Sequence, residues 1–173
     1  MQQFFYEFTK LSFDNLNRQI RLADNKAKFL LSLNLAVISG LSAIMYNNFD
    51  KFKTVDFNSL AGAGLSLVLL SMLFLFISFC FTILIIIPKL SPRNNPSKLL
   101  YWGQIAKQDI SHIQDRYWNT TEEEKMQELI TQIYFYSQTA TEKYQRVKFS
   151  IYALFVALLI MIPSLMLTLF KIH

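Results

Sequence analysis

The stretch from residue 57 to residue 88, FNSLAGAGLSLVLLSMLFLFISFCFTILIIIP, decides the fold because it contains no charged side chain. A helix needs about 20 mostly apolar residues to cross the ~30 Å hydrocarbon core of a bilayer, and this stretch is longer than that. Residues 29–49 and 149–170 are also uncharged and long enough to cross. Helices in soluble cores rarely lack charge on every face over several turns. The sequence therefore predicts an all-α membrane protein with three transmembrane helices.

A cleaved signal peptide is a poor explanation of the first apolar stretch. Mixed polar residues fill positions 1–28, and no clear small-residue cleavage site follows the stretch. Cys80 is the only cysteine of the chain, so an internal disulfide cannot form and no oxidising compartment is required.

The distribution of basic residues predicts the orientation. Most of the 17 Lys and Arg residues lie at positions 1–28 and 89–148, which an odd number of spans places on the same side. The positive-inside rule assigns that side to the cytoplasm. We therefore expect a cytoplasmic amino terminus and an external tail. The formal net charge of +5 is then a signal of contact with the lipid bilayer, and it gives no reason to expect a nucleic acid polymer as partner.

The segment before the first apolar stretch is predicted to belong to the same helix. Apolar residues recur there at steps of three and four, and no Gly or Pro occurs before Gly40. One helix of about 45 residues is expected, with a cytoplasmic half ~40 Å long. Its apolar seam consists of Phe13, Leu16, Ile20, Ala23, Ala27 and Leu30.

The third apolar stretch has a similar extension. Thr121 and Glu124 form a Ser/Thr-x-x-Glu capping box, which is typical of a helix start. A helix from about Thr121 to Phe170 is expected, with a seam of Met126, Leu129, Ile133, Tyr136, Ala140, Tyr144, Val147 and Ile151. The two extensions should form a cytoplasmic helical stalk by packing as a parallel pair, alone or with copies from other chains. The alternative is that each extension lies separately on the bilayer surface.

Prolines at positions 88, 92 and 96 mark a connector after the second span, and a short helical stretch to about Trp118 follows it. The predicted segments are a cytoplasmic amphipathic helix (1–28), transmembrane helix 1 (29–48), an external loop (49–58), transmembrane helix 2 (59–88), a cytoplasmic connector with a short helix (89–120), a cytoplasmic helix (121–148), transmembrane helix 3 (149–170) and an external tail (171–173).

Small and polar residues inside the spans favour helix association. Ala36 with Gly40 and Gly62 with Ser66 have the spacing that lets helices approach closely. Asn34 is a polar side chain within the first span and needs a partner there, most simply on another helix. Association between chains and ordinary packing within one chain both fit these features.

No residue pattern predicts catalysis. Asp109, His112 and Asp115 are spaced by three, but such a triad is far more often a solvated helix surface than a metal site. The chain has no nucleophile elbow, phosphate-binding loop or cysteine pair. We therefore expect no enzyme activity, no bound metal and no resident cofactor.

Two basic clusters, one on each predicted stalk helix, are expected at the same depth just below the membrane. Together they would cradle a phosphate, with Arg21 and Arg146 as bidentate donors and Asp24 accepting from a base or ribose. Tyr101 and Trp102 offer faces on which a base could stack. The candidate ligand-binding residues are Arg21, Asp24, Lys26, Tyr101, Trp102, Lys143 and Arg146.

Each of these features also has an ordinary explanation. Lys and Arg next to a membrane normally extend to lipid headgroups. Tyr and Trp at the same depth normally form an aromatic belt. Spacing alone favours these ordinary explanations over a ligand site.

Several short blocks, in their order along the chain, resemble the Pycsar-type transmembrane effectors of bacterial anti-phage defence. They are the segment 21–31 at the first span, the proline-rich exit from the second span, LLYWGQI at 99–105, ELITQIY at 128–134 and KYQRVK at 143–148. The resemblance covers nearly the whole chain.

This resemblance implies a function. In that family a partner cyclase senses phage and makes a cyclic pyrimidine mononucleotide, and the effector responds by impairing the bacterial inner membrane, so that the infected cell stops growing or dies. The ligand would be cyclic UMP or cyclic CMP, and the effector would be a homo-oligomer in the bilayer. The chain has no separate cyclic-nucleotide-binding domain, so the pocket would have to form from the stalk and the connector.

Two other classes of protein fit the residues taken alone. One is a constitutive membrane scaffold with a helical stalk, which predicts harmless expression at any nucleotide level. The other is a channel subunit gated by another signal, which predicts conductance without a cyclase.

Overall fold

The structure is a computed structural model that describes residues 2–49, 53, 59–87 and 108–170. Within these residues the fold is all-helical, without strands. The helices are α1 (Gln2–Asn47), α2 (Leu60–Ile86), α3 (Ile110–Asn119) and α4 (Glu122–Phe170).

Three of the four helices are long and apolar enough to cross a membrane, namely α1, α2 and α4. This confirms the predicted fold class. Helix α1 has 46 residues and α4 has 49, so both continue well beyond their apolar stretches, as predicted. Helix α4 also runs unbroken through Pro163. The exact boundaries of the membrane segments within these helices stay predictions.

The start of α4 is fixed by the predicted capping box. The backbone N–H of Glu124 donates to Thr121 Oγ1 at 3.3 Å, and the backbone N–H of Thr121 donates to Glu124 Oε2 at 2.9 Å. These bonds satisfy N–H groups that have no partner inside the helix. The hydrogen bonds from Thr121 lower the pKa of the Glu124 carboxyl, and the charge of Arg116 lowers it further.

The chain forms two compact units. The first unit contains Met1–Ala23 and Ile87–Tyr144. In it, the rings of Phe13 and Tyr136 meet edge to face with centroids 5.1 Å apart, and Tyr144 Oη donates to Gln19 Oε1 at 2.8 Å. Since the contacts advance along α1 and α4 in the same direction, the two extensions run parallel. The predicted parallel pair is therefore confirmed within this unit.

The second unit contains Asp24–Ile86 and Gln145–His173, which are the apolar parts of α1, α2 and α4. Helices α2 and α4 run antiparallel, because Ser78 contacts Ser150 while Gly64 lies against Thr168 further along. A Cβ atom added to Gly64 would lie 2.9 Å from Thr168 Oγ1 and 3.2 Å from the backbone oxygen of Ser164. Only a glycine fits at this crossing without displacing α4.

Polar side chains fill much of the interior of the second unit. Seven of them are fully buried: Asn34, Ser71, Ser78, Thr82, Ser150, Ser164 and Thr168. Aliphatic side chains such as Leu75, Ile85 and Leu154 complete this interior. Other large apolar side chains point outward, including Leu73, Phe76, Phe149, Phe155, Leu159 and Met166. This arrangement suits a bilayer. Lipid solvates the outward apolar side chains, and the buried polar groups form hydrogen bonds with the protein because no water is available to them.

Two predictions about helix faces need correction. The predicted seam of α4 includes Ile151, but this residue is 45% exposed, and the adjacent Ser150 is buried in its place. The interface of α4 continues from Val147 through Ser150 to Leu154, at steps of three and four, so that Ile151 lies one position outside it. Of the small-residue pairs, Ala36 and Gly40 are both exposed, and a Cβ atom added to Gly40 would meet no described atom within 4 Å, so within the single chain this pair makes no close helix contact. The close approach within the chain occurs at Gly64, and association between chains through Ala36 and Gly40 stays a prediction.

Candidate functional site

The candidate ligand residues are distributed over both units. Arg21 and Lys143 belong to the first unit, and Asp24, Lys26 and Arg146 belong to the second. Tyr101 and Trp102 lie outside the described residues. The proposed cradle of Arg21 and Arg146 therefore stays a prediction, and each residue is described within its own unit below.

The two residues of the first unit differ in accessibility. Arg21 is exposed, as a side chain that meets a soluble ligand should be. Lys143, by contrast, is only 8% exposed. A buried ammonium group needs a partner, and Lys143 has an interaction partner within the described part of the chain. Arg21 is thus the more accessible cation of this pair.

Arg146 caps the C-terminal end of α2. Its Nη1 donates to the backbone oxygen of Leu84 at 2.6 Å. This oxygen is one of the last four carbonyls of α2, which ends at Ile86 and cannot satisfy them itself. A cation at this position also complements the negative end of the helix dipole. No sequence pattern indicates this contact, because it depends on the register between α2 and α4.

Arg146 has the chemistry to donate hydrogen bonds to an anion as well as to the Leu84 carbonyl. A guanidinium has five N–H donors in a planar fork and can bind two oxygens of a phosphate at once. Its side chain is partly exposed, with Lys26 and the half-buried Asp24 in the same unit. The bond to the Leu84 carbonyl uses one of these N–H groups and leaves the others for a phosphate, so the two partners compete only if the phosphate turns the guanidinium away from Leu84.

A hydroxyl cluster lies one helical turn from Arg146. Ser150 Oγ is 2.7 Å from Thr82 Oγ1 and 3.1 Å from Ser78 Oγ, and it donates to the Ser78 backbone oxygen at 3.1 Å. In return, Ser78 Oγ donates to the Ser150 backbone oxygen at 2.9 Å. These bonds tie α2 to α4 within the apolar part of the chain.

Asn34 joins α1 to this cluster. Its Nδ2 donates to Ser78 Oγ at 3.1 Å and to the Leu30 backbone oxygen at 2.9 Å. This confirms the expectation that Asn34 finds a partner on another helix. Its Oδ1 is buried and accepts no hydrogen bond from the described residues.

Comparison with known protein families identifies the family of this chain. The family described as PycTM, Pycsar effector protein domain, matches residues 8–170. The chain belongs to this family. No curated protein and no solved structure shows detectable similarity to the chain.

Membership of the Pycsar effector family confirms the resemblance drawn from the short sequence blocks. The protein is accordingly a multi-pass membrane effector of anti-phage defence. The match spans α1 to α4 and therefore includes both the stalk helices and the three apolar helices.

The triad of Asp109, His112 and Asp115 shows no sign of a metal site in this Pycsar effector. All three residues are exposed, and Asp109 precedes α3 without a capping bond from its side chain. Among the described residues, no group of three potential ligands is close enough to hold an ion.

Proposed function

We propose that this Pycsar effector is triggered by a cyclic pyrimidine mononucleotide, cyclic UMP or cyclic CMP, and then impairs the inner membrane of the infected cell. The family match supports the role in defence. The trigger and the membrane damage rest on the resemblance and on the chemistry of the basic residues. The effector acts by binding and rearrangement, without catalysis.

The observation that carries this proposal is the contact of Arg146 with the Leu84 carbonyl. A nucleotide phosphate at Arg146 would weaken the attachment of α4 to the end of α2. Binding can shift such an equilibrium only if the ligand prefers one of the two states. We infer that the phosphate binds the guanidinium in an orientation that the bond to Leu84 does not allow, and this supplies the preference.

The orientation follows from the basic residues. A nucleotide made by a cytoplasmic cyclase must reach Arg21 and Arg146 from the cytoplasm. The positive-inside rule places both residues on that side, with the amino terminus. The inner membrane is then the site of action.

A homo-oligomer is part of the proposal. Ala36 and Gly40 are one helical turn apart on α1, and both are exposed in the single chain. Such a small-residue face permits a close approach of helices inside a bilayer. We infer that a second copy of the chain packs there when the effector damages the membrane.

The test is a dye-entry assay in bacteria that express the protein. Co-expressed cyclases supply cyclic UMP or cyclic CMP, and a cyclic AMP cyclase is the control. Dye should enter only with a pyrimidine nucleotide. The double variant Arg21→Ala with Arg146→Ala should abolish entry, whereas Arg18→Ala, which removes an exposed arginine of the same helix as Arg21, should not.

Either of two results would contradict the proposal. Entry that persists in a normally folded double variant would show that the phosphate binds elsewhere. No entry with any nucleotide, although the protein is in the membrane, would favour a constitutive scaffold.

A further inference from the structure

The buried hydroxyls of the second unit fall into two classes. Ser71 and Ser164 bond only within their own helices, where they donate to the backbone oxygens of Val68 at 2.7 Å and Met161 at 2.9 Å. The cluster of Ser78, Thr82 and Ser150 bonds across α2 and α4. All of these side chains are fully buried, so the two classes differ in partner and not in environment.

The cluster lies near Arg146 along both helices. Ser150 follows Arg146 by four residues on α4, and on α2 Thr82 precedes Leu84, the partner of Arg146, by two. Residues four apart lie on the same face of a helix. A shift of α4 that separates Arg146 from Leu84 must therefore strain the bonds of Ser150 to the neighbouring helix.

We propose that the hydrogen bonds among Ser78, Thr82 and Ser150 form a latch between α2 and α4. The latch stabilises the resting state and opens when a ligand binds Arg146. This inference rests on the proposed function, since it assigns the element that the trigger must move. Asn34 extends the latch to α1 through Ser78. The latch connects the ligand-binding end of α4 to the packing of all three apolar helices.

The chemistry of the cluster permits two states. Hydroxyls on a helix can donate to the carbonyl three or four residues earlier. Thr82 Oγ1 already does so, at 2.9 Å from the Ser78 backbone oxygen, and Ser71 and Ser164 use the same type of bond. Hydroxyls released from the latch can adopt this bond, so opening leaves few polar groups unsatisfied in lipid.

The first test compares matched substitutions in purified full-length protein. The protein is placed in liposomes of phosphatidylethanolamine and phosphatidylglycerol that contain a trapped dye. Ser150→Ala should lower the concentration of cyclic UMP or cyclic CMP for half-maximal release about ten-fold, or cause release without nucleotide. Ser164→Ala should leave that concentration unchanged, because Ser164 is equally buried but bonds only to its own helix.

The second test locks the latch. Ser78→Cys and Ser150→Cys are combined in a Cys80→Ala background, and oxidation joins α2 to α4. We expect the oxidised protein to release no dye with nucleotide, and reduction to restore release. Loss of free thiols confirms the bond in each sample.

The outcomes separate this inference from the proposed function. Release from the oxidised protein would overturn the latch and leave the nucleotide trigger intact. If the unsubstituted chain never responds to nucleotide, the proposed trigger fails. In that case, release from Ser150→Ala alone supports the latch, and equal behaviour of Ser150→Ala and Ser164→Ala overturns it.

Discussion

The two units of this protein use the same two helices, α1 and α4, with different interiors. In the first unit the helices meet through large side chains, such as Phe13 against Tyr136, while charged residues such as Arg21 are exposed. In the second unit they meet α2 through aliphatic side chains such as Leu75 and Leu154 together with glycine and buried hydroxyl side chains, while Phe residues such as Phe76 point outward. The contrast is that the interior of the second unit adds a close helix crossing and several fully buried hydroxyl groups to its aliphatic core. In water, the hydrophobic effect drives apolar faces together. In lipid, helices associate through close packing and hydrogen bonds.

The largest expected effect comes from overpacking the second unit. Gly64→Ala would place a methyl group against Thr168 and the Ser164 backbone, which should lower the free energy of unfolding by about 1–3 kcal/mol. Gly40→Ala makes the same change on an exposed face and should leave the single chain as stable as before or slightly more stable. Thermal unfolding of both variants in detergent measures the difference. Equal stability would show that α2 and α4 do not cross at Gly64.

A smaller effect is expected from the first unit, where an aromatic contact carries the packing. Phe13→Ala removes an edge-to-face pair that contributes about 0.5–1.5 kcal/mol beyond the area it buries. Phe8→Ala, on the same helix, removes a side chain that is 58% exposed and should have less effect. Proteolysis of the segment before the first span reports on the pairing. Protection that survives Phe13→Ala would contradict a stalk held by this contact.

The smallest effect concerns pH and the start of α4. The folded state lowers the pKa of Glu124, so its capping bonds stabilise the helix at neutral pH and are lost as the pH falls through that lowered pKa. Glu124→Gln should reduce this pH dependence, while Glu123→Gln, in the same helical turn, should retain it. Thermal unfolding between neutral and acidic pH measures the effect. An unchanged acid profile for Glu124→Gln would show that the cap does not stabilise α4.

Much of this fold could be predicted from local pattern. The uncharged stretches indicated three spans, and the capping box of Thr121 and Glu124 indicated the start of α4. The need of Asn34 for a partner on another helix also followed from its place in lipid. These features depend on properties that a short window of residues contains.

The interhelical contacts could not be predicted in the same way. The bond from Arg146 to the end of α2, and the choice of Ser150 over Ile151 for the interface, depend on how α2 and α4 align. That register is a property of two segments far apart in the chain. The ligand roles of Tyr101 and Trp102 stay predictions, because these residues lie outside the described part of the chain.

The most direct test of the central claim exchanges the two neighbouring residues of α4. Ser150→Ile places a bulky side chain in the buried, hydrogen-bonded interface, and Ile151→Ser places a hydroxyl on the exposed face. Unfolding of both variants in lipid bicelles should show a loss of about 1–3 kcal/mol for Ser150→Ile and a smaller loss for Ile151→Ser. The opposite order would mean that Ile151, and not Ser150, lies in the interface between α2 and α4.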